Sequence, residues 1–74
     1  MIKAFIGRKA YFLFLKKEVS MPEALKLTAR ETHLSKEHFE VSSARLAEET
    51  ATEYVFSVEL KKGDYWCVTR KEND

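Results

Sequence analysis

The feature that most constrains this chain is a six-residue apolar run, Ala10-Tyr11-Phe12-Leu13-Phe14-Leu15, set between Arg8-Lys9 and Lys16-Lys17. Its aromatic content favours a strand, and the absence of polar alternation makes that strand apolar on both faces. A helix packed on one face of a sheet hides Phe12 and Phe14 or Tyr11 and Leu13, but not both pairs. The rest of the sequence has the pattern for one good helix, so the second face needs another cover: a second copy of the chain or another macromolecule.

The glycines and the proline are few, and each marks a boundary. Gly7-Arg8 separates Ile2–Ile6 from Lys9–Leu15 and suits a two-residue hairpin with glycine at the first central position. A single N-terminal helix competes with this, because Ile2, Phe5, Ile6, Phe12 and Leu13 also fall near one face at helical spacing. Lys9 interrupts that stripe and Gly7 weakens a helix, which favours strand. Ser20 with Glu23 forms a capping box, and Pro22 falls in the first turn, where its missing N–H is not needed. Met21, Ala24, Leu25, Thr28, Ala29 and Thr32 then recur at three- and four-residue spacing, with Lys26, Arg30 and His33 opposite, which predicts a helix over about residues 21–34. Leu27 and Leu34 stand at the edge of the stripe, placed to touch the core rim or a partner.

Three strands are expected beyond Ser35. Phe39 and Val41 alternate with Glu40 and Ser42, and the phase then shifts to Ala44 and Leu46, which predicts a bulge near Ser42-Ser43. Tyr54, Phe56, Val58 and Leu60 alternate with Glu53, Val55, Ser57 and Glu59, a set polar except for Val55. Lys61-Lys62-Gly63-Asp64 reads as a hairpin turn returning through Tyr65 to Arg70, with Trp66 and Val68 inward and residues 71–74 as a fraying tail. The predicted fold is a single α+β domain over residues 1–74, one helix packed on a small antiparallel sheet, in the order strand or hairpin, helix, then a three-stranded meander.

Over Ser20 to Arg70, the "EALKLTA" helix, the "YVFSVELKKGDYW" hairpin and their spacing resemble PepSY-type modules. Those modules pack one helix on a small antiparallel sheet and are associated with peptidase inhibition or extracytoplasmic binding. The chain ends "CVTRKEND" where they tend to carry a glycine after an acidic turn. The strand, helix, three-strand order is also similar to small phage-encoded inhibitors of the anti-CRISPR kind, a likeness of architecture that carries no residue across. Both resemblances imply a protein that acts by binding.

Composition and charge narrow the chemistry. At 74 residues the chain is near the size where one core is only marginally sufficient, and its 45% apolar content with 34% charged marks it as globular. Thirteen basic against twelve acidic side chains give no overall field to draw it to a polyanion. The short apolar run, closed by Lys16-Lys17-Glu18, matches neither a signal peptide nor a membrane span. Cys67 is the only cysteine, which excludes an intrachain disulfide and two-cysteine metal or redox motifs and points to a reducing cytoplasm.

No catalytic group is expected. His33 and Glu37-His38 are separated by three residues where the inverted zinc-hydrolase motif has two, so no metal is expected, and two isolated glycines make no phosphate cradle. Glu48-Glu49 precede Thr50 at a turn, and Cys67 lies mid-strand with no glycine-rich turn or helix start to activate it. No cofactor is implied. Basic pairs do recur beside aromatics, at Arg8-Lys9 before Tyr11, Lys61-Lys62 before Tyr65-Trp66, and Arg70-Lys71 after them, a pattern compatible with a sheet that stacks single-stranded nucleic acid. Glu18, Glu40, Glu48, Glu49, Glu53, Glu59 and Asp64 break any continuous basic stripe. Protein binding or self-association is the better account, with Tyr11 and Leu13 or Phe12 and Phe14 as anchors and Lys61, Lys62, Tyr65 and Trp66 around them.

Overall fold

The computed structural model describes residues 1–61 in full and the backbone of residues 66–72. Strands β1 (Ile2–Gly7) and β2 (Lys9–Leu15) are followed by helix α1 (Met21–His33), then by β3 (Phe39–Glu49), β4 (Glu53–Leu60) and β5 (Trp66–Glu72). The five strands form one antiparallel sheet in the order β3-β4-β2-β1-β5, an α+β fold with α1 on one side. No helix among the described residues is long and apolar enough to cross a membrane.

The apolar run is the central strand of this sheet. β2 pairs with β1 on one edge and with β4 on the other, where Phe12 faces Phe56, Leu13 faces Val55 and Phe14 faces Tyr54. The β1–β2 turn is built as its sequence suggests. Gly7 has φ of +62°, and among the described residues none other than glycine has a positive φ, so Arg8 does not; that combination is a type II′ turn, whose twist matches the flanking strands.

α1 starts at its capping box. The Ser20 hydroxyl accepts a hydrogen bond from the Glu23 N–H at 3.4 Å, and the Glu23 carboxylate accepts from the Ser20 N–H at 3.4 Å. The helix packs mainly on β3 and β4. It does so through small side chains, Ala24, Thr28 and Thr32, which are fully buried. The two hydroxyls are satisfied inside the helix: Thr28 Oγ1 donates to the Ala24 carbonyl and Thr32 Oγ1 to the Thr28 carbonyl, both at 2.9 Å. Close approach of the backbone leaves the larger side chains of the predicted stripe outside, so Met21 and Leu25 are exposed, as are Leu27 and Leu34. The core beneath α1 gathers Ala10, Phe12, Phe14, Phe39, Phe56, Val58 and Leu60, with the Phe14 and Phe56 rings edge to face at 5.9 Å.

β3 carries the expected irregularity. Its register against β4 shifts between Glu40 and Arg45. Ser43 fills the gap: its hydroxyl donates to the Glu40 carbonyl at 2.6 Å and accepts the Glu59 N–H at 2.8 Å, replacing ladder bonds that the bulge removes. A second shift lies between Leu46 and Glu48, and Glu48 and Glu49 belong to the strand rather than to the turn after it.

The expected meander is corrected at β5. β5 pairs with β1, with Phe5 opposite Thr69 and Gly7 opposite Trp66, and not with β4. Both edges of β4 are already taken, by β3 and β2, so the only edge open to a strand antiparallel to β4 is that of β1. β4 ends beside the β1–β2 turn, where the Leu60 N–H donates to the Arg8 carbonyl at 2.8 Å. Lys71 and Glu72, expected in a fraying tail, are strand residues of β5 paired with Lys3 and Ile2. The expected turn residues Lys62, Gly63 and Asp64, with Tyr65, lie outside the described residues, and so do the side chains of Trp66 and Val68.

Candidate binding surface

β2 divides its side chains between two environments. Ala10, Phe12 and Phe14 point to the α1 side and are buried, whereas Tyr11, Leu13 and Leu15 point to the other side and remain half-buried. Phe12, at 1% exposure, and Phe14, at 4%, are thus core residues and are corrected out of any binding surface on the folded protein. Tyr11 and Leu13 are the pair that α1 leaves uncovered.

Backbone register extends this second face across the sheet. Ile6, Lys9, Glu59 and Glu40 lie in one row, and Ala4, Tyr11, Ser57 and Arg45 in the next. Ile2, Leu13, Val55 and Glu48 form a third row, and Leu15 and Glu53 a fourth. Ile2, Ala4, Ile6, Tyr11, Leu13, Leu15 and Val55 therefore make one contiguous apolar strip over β1, β2 and the middle of β4. Ile6 is 51% exposed and the others are partly so. No helix or strand of the described residues lies over them. A cleft of about 320 Å³, lined by Leu15, Lys16, Lys17, Ala51 and Thr52, opens where the strip ends.

The border of the strip is charged on its β4 and β3 side. Glu40, Glu48, Glu53 and Glu59 stand there with Arg45, and Lys9 of β2 lies opposite Glu59, four carboxylates to two cations. None of the four glutamates forms an ion pair among the described residues. Glu40 and Glu59 sit directly opposite each other, an unfavourable cross-strand arrangement in the isolated sheet. The paired charges are on the α1 side: Lys3 binds Glu31, and Lys16 binds Glu49 at 2.6 Å while standing 5.2 Å over the Tyr54 ring.

The remaining sequence candidates lie elsewhere. Lys61 follows β4 and donates its N–H to the His38 carbonyl at 2.7 Å, beside the strip's end and not in it. Lys62 and Tyr65 lie outside the described residues, and Trp66 is placed only by its backbone, opposite Gly7. His38 and Glu37 approach each other at 3.8 Å on the surface. Among the described residues no group of three histidine, cysteine or acidic side chains is arranged to hold a metal ion.

Ile2, Ala4, Ile6 and Val55 are members of the strip that the sequence pattern does not single out. Val55 carries a signal, as the one apolar member of an otherwise polar alternation in β4. Ile2, Ala4 and Ile6 are hidden because β1, like β2, is apolar at nearly every position, and only the register with β2 assigns them a face. Comparison of the chain with protein-family models, with curated proteins and with solved structures finds no match in any of the three.

Proposed function

We propose that this chain is a non-enzymatic protein-binding module that works by covering a surface of another protein, as a steric inhibitor or an adaptor. The observation that supports it is the strip Ile2, Ala4, Ile6, Tyr11, Leu13, Leu15 and Val55 on a sheet face over which the described residues place nothing. Contiguous apolar patches of this kind on small soluble domains mark interaction sites, and an aromatic at the centre supplies a rigid anchor. A domain of 74 residues also has little core to spare, so leaving seven apolar side chains only partly covered favours an occupant. A cytoplasmic setting belongs to the same proposal and rests on the single cysteine.

Single-stranded nucleic acid is the weaker occupant. A base-stacking platform needs several exposed rings bordered by cations, and among the described residues this face offers the single half-buried ring of Tyr11, with four glutamates against Lys9 and Arg45 around it. The deciding experiment places a photo-reactive phenylalanine analogue at position 13, on the strip, or at position 26, on the outer side of α1, in the cells that make the protein. Discrete protein adducts from position 13 and none from position 26 are expected. Adducts removed by nuclease, or adducts only from position 26, would refute the proposal.

A further inference from the structure

We infer that the occupant of the open face is an amphipathic helix of a partner protein, apolar on one side and lined with lysine or arginine along one flank. The inference rests on the protein-binding proposal above and adds the shape and charge of what binds.

Shape comes first. Neighbouring strands are about 4.8 Å apart, so a strip over β1, β2 and β4 is about 10 Å wide. That is the diameter of one helix with its side chains, whereas a second sheet stacked face to face would extend over all five strands. Along the strands, the distance from the Ile6 row to Leu15 is about 20 Å at ~3.3 Å per residue, the length of a helix of about 13 residues.

Charge then separates the possible occupants. The four glutamates border the strip on the β4 and β3 side, whereas beyond β1 the register of β5 sets one charge of each sign, Arg70 opposite Ala4 and Glu72 opposite Ile2. A helix lying along β1 and β2 thus meets carboxylates along one flank. Cations on that flank would neutralise Glu48, Glu53 and Glu59 and relieve the Glu40–Glu59 opposition. A second copy offers the opposite: stacking two identical faces brings eight carboxylates together with four cations, twice the border found in one chain. Its helix does expose Leu27 and Leu34 near Lys26 and Arg30, but α1 of one copy on the open face of the next is a head-to-tail contact that leaves one face uncovered at the end of every open assembly. The α1 side of the sheet has a helix-to-sheet ion pair with the signs reversed, where Glu31 of the helix binds Lys3 of β1 across the packing boundary.

The test uses the whole chain, labelled with nitrogen-15, and two model helices of about 14 residues. Both carry leucines at helical i, i+3, i+4, i+7 spacing; one has lysines along a flank and the other glutamates. The lysine peptide is expected to shift amide signals of β1, β2 and β4 and to bind about tenfold more tightly than the glutamate peptide, as for two or three partly exposed ion pairs. The triple variant Glu48→Lys, Glu53→Lys, Glu59→Lys, checked for an unchanged melting transition, is expected to reverse that preference. Equal binding of the two peptides would overturn the charge assignment while leaving the face as a protein site. A mass of two chains that returns to one in Leu13→Glu would overturn the helix in favour of a second copy, again leaving the face. No shift from either peptide in a protein of one-chain mass would overturn both the helix and the protein-binding proposal.

Discussion

Truncating adjacent residues of β2 should have very different costs. Phe12 is 1% exposed, faces Phe56 in the same core layer, and lies under the sheet's contact with α1, whereas Leu13 points to the open face. Removing the Phe12 ring withdraws about 170 Å² of buried apolar surface, which at ~25 cal/mol/Å² is about 4 kcal/mol. Phe→Ala substitutions in packed cores fall in a range of ~3–5 kcal/mol. Leu13→Ala removes a half-exposed side chain and leaves no enclosed cavity, so about 1 kcal/mol is expected. A domain of 74 residues has a total stability of about 4–11 kcal/mol at ~0.05–0.15 kcal/mol per residue. Phe12→Ala therefore consumes much or all of it. Urea titrations followed by circular dichroism, compared at equal m-value, measure both changes. A cost for Phe12→Ala within about 1 kcal/mol of that for Leu13→Ala would refute the assignment of the two faces.

Three further substitutions test local devices. Ser20→Ala removes the capping box and should lower stability by ~0.5–2 kcal/mol in the same titration, with Ser20→Asp recovering most of the loss. Gly7→Ala should cost about 1–2 kcal/mol although a Cβ there has no heavy atom within 4 Å, because φ of +62° opposes an L side chain; Gly7→Asn should cost less. Ser43→Ala deletes the hydroxyl that bridges Glu40 and Glu59, so a loss of about 1 kcal/mol and faster amide exchange at Glu59 are expected.

Features decided by neighbouring residues are legible in the amino-acid sequence. The II′ turn follows from Gly7, the helix start from Ser20, Pro22 and Glu23, and the β3 bulge from a phase shift that two serines interrupt. Strand pairing is not legible in the same way. Lys61-Lys62-Gly63-Asp64 has the composition of a hairpin turn whether the next strand lies beside β4 or beyond the β1–β2 hairpin. What decides between them is that β2 matches β4 on both faces and takes its edge, and that competition is set by residues about forty positions apart in the chain. The helix stripe is right in phase and wrong in depth. Ala24, Thr28 and Thr32 are the deepest residues because small side chains let α1 approach β3 and β4 closely, and Leu25 is left outside. For the binding surface, Tyr11 and Leu13 are half of an open choice with Phe12 and Phe14, and the choice turns on the position of α1, which no pattern within β2 encodes.

Partner binding at this sheet requires that one face of β2 belong to the core and the other stay open to solvent in the single chain. Solvent paramagnetic relaxation, measured by NMR with a soluble gadolinium chelate at a concentration where the protein has the mass of one chain, tests it most directly. Side-chain protons of Ile2, Tyr11, Leu13 and Val55 should relax strongly, and those of Phe12, Phe14 and Phe56 weakly. Equal protection of both sets in the single chain would contradict the account, because nothing would then be left for a partner to cover.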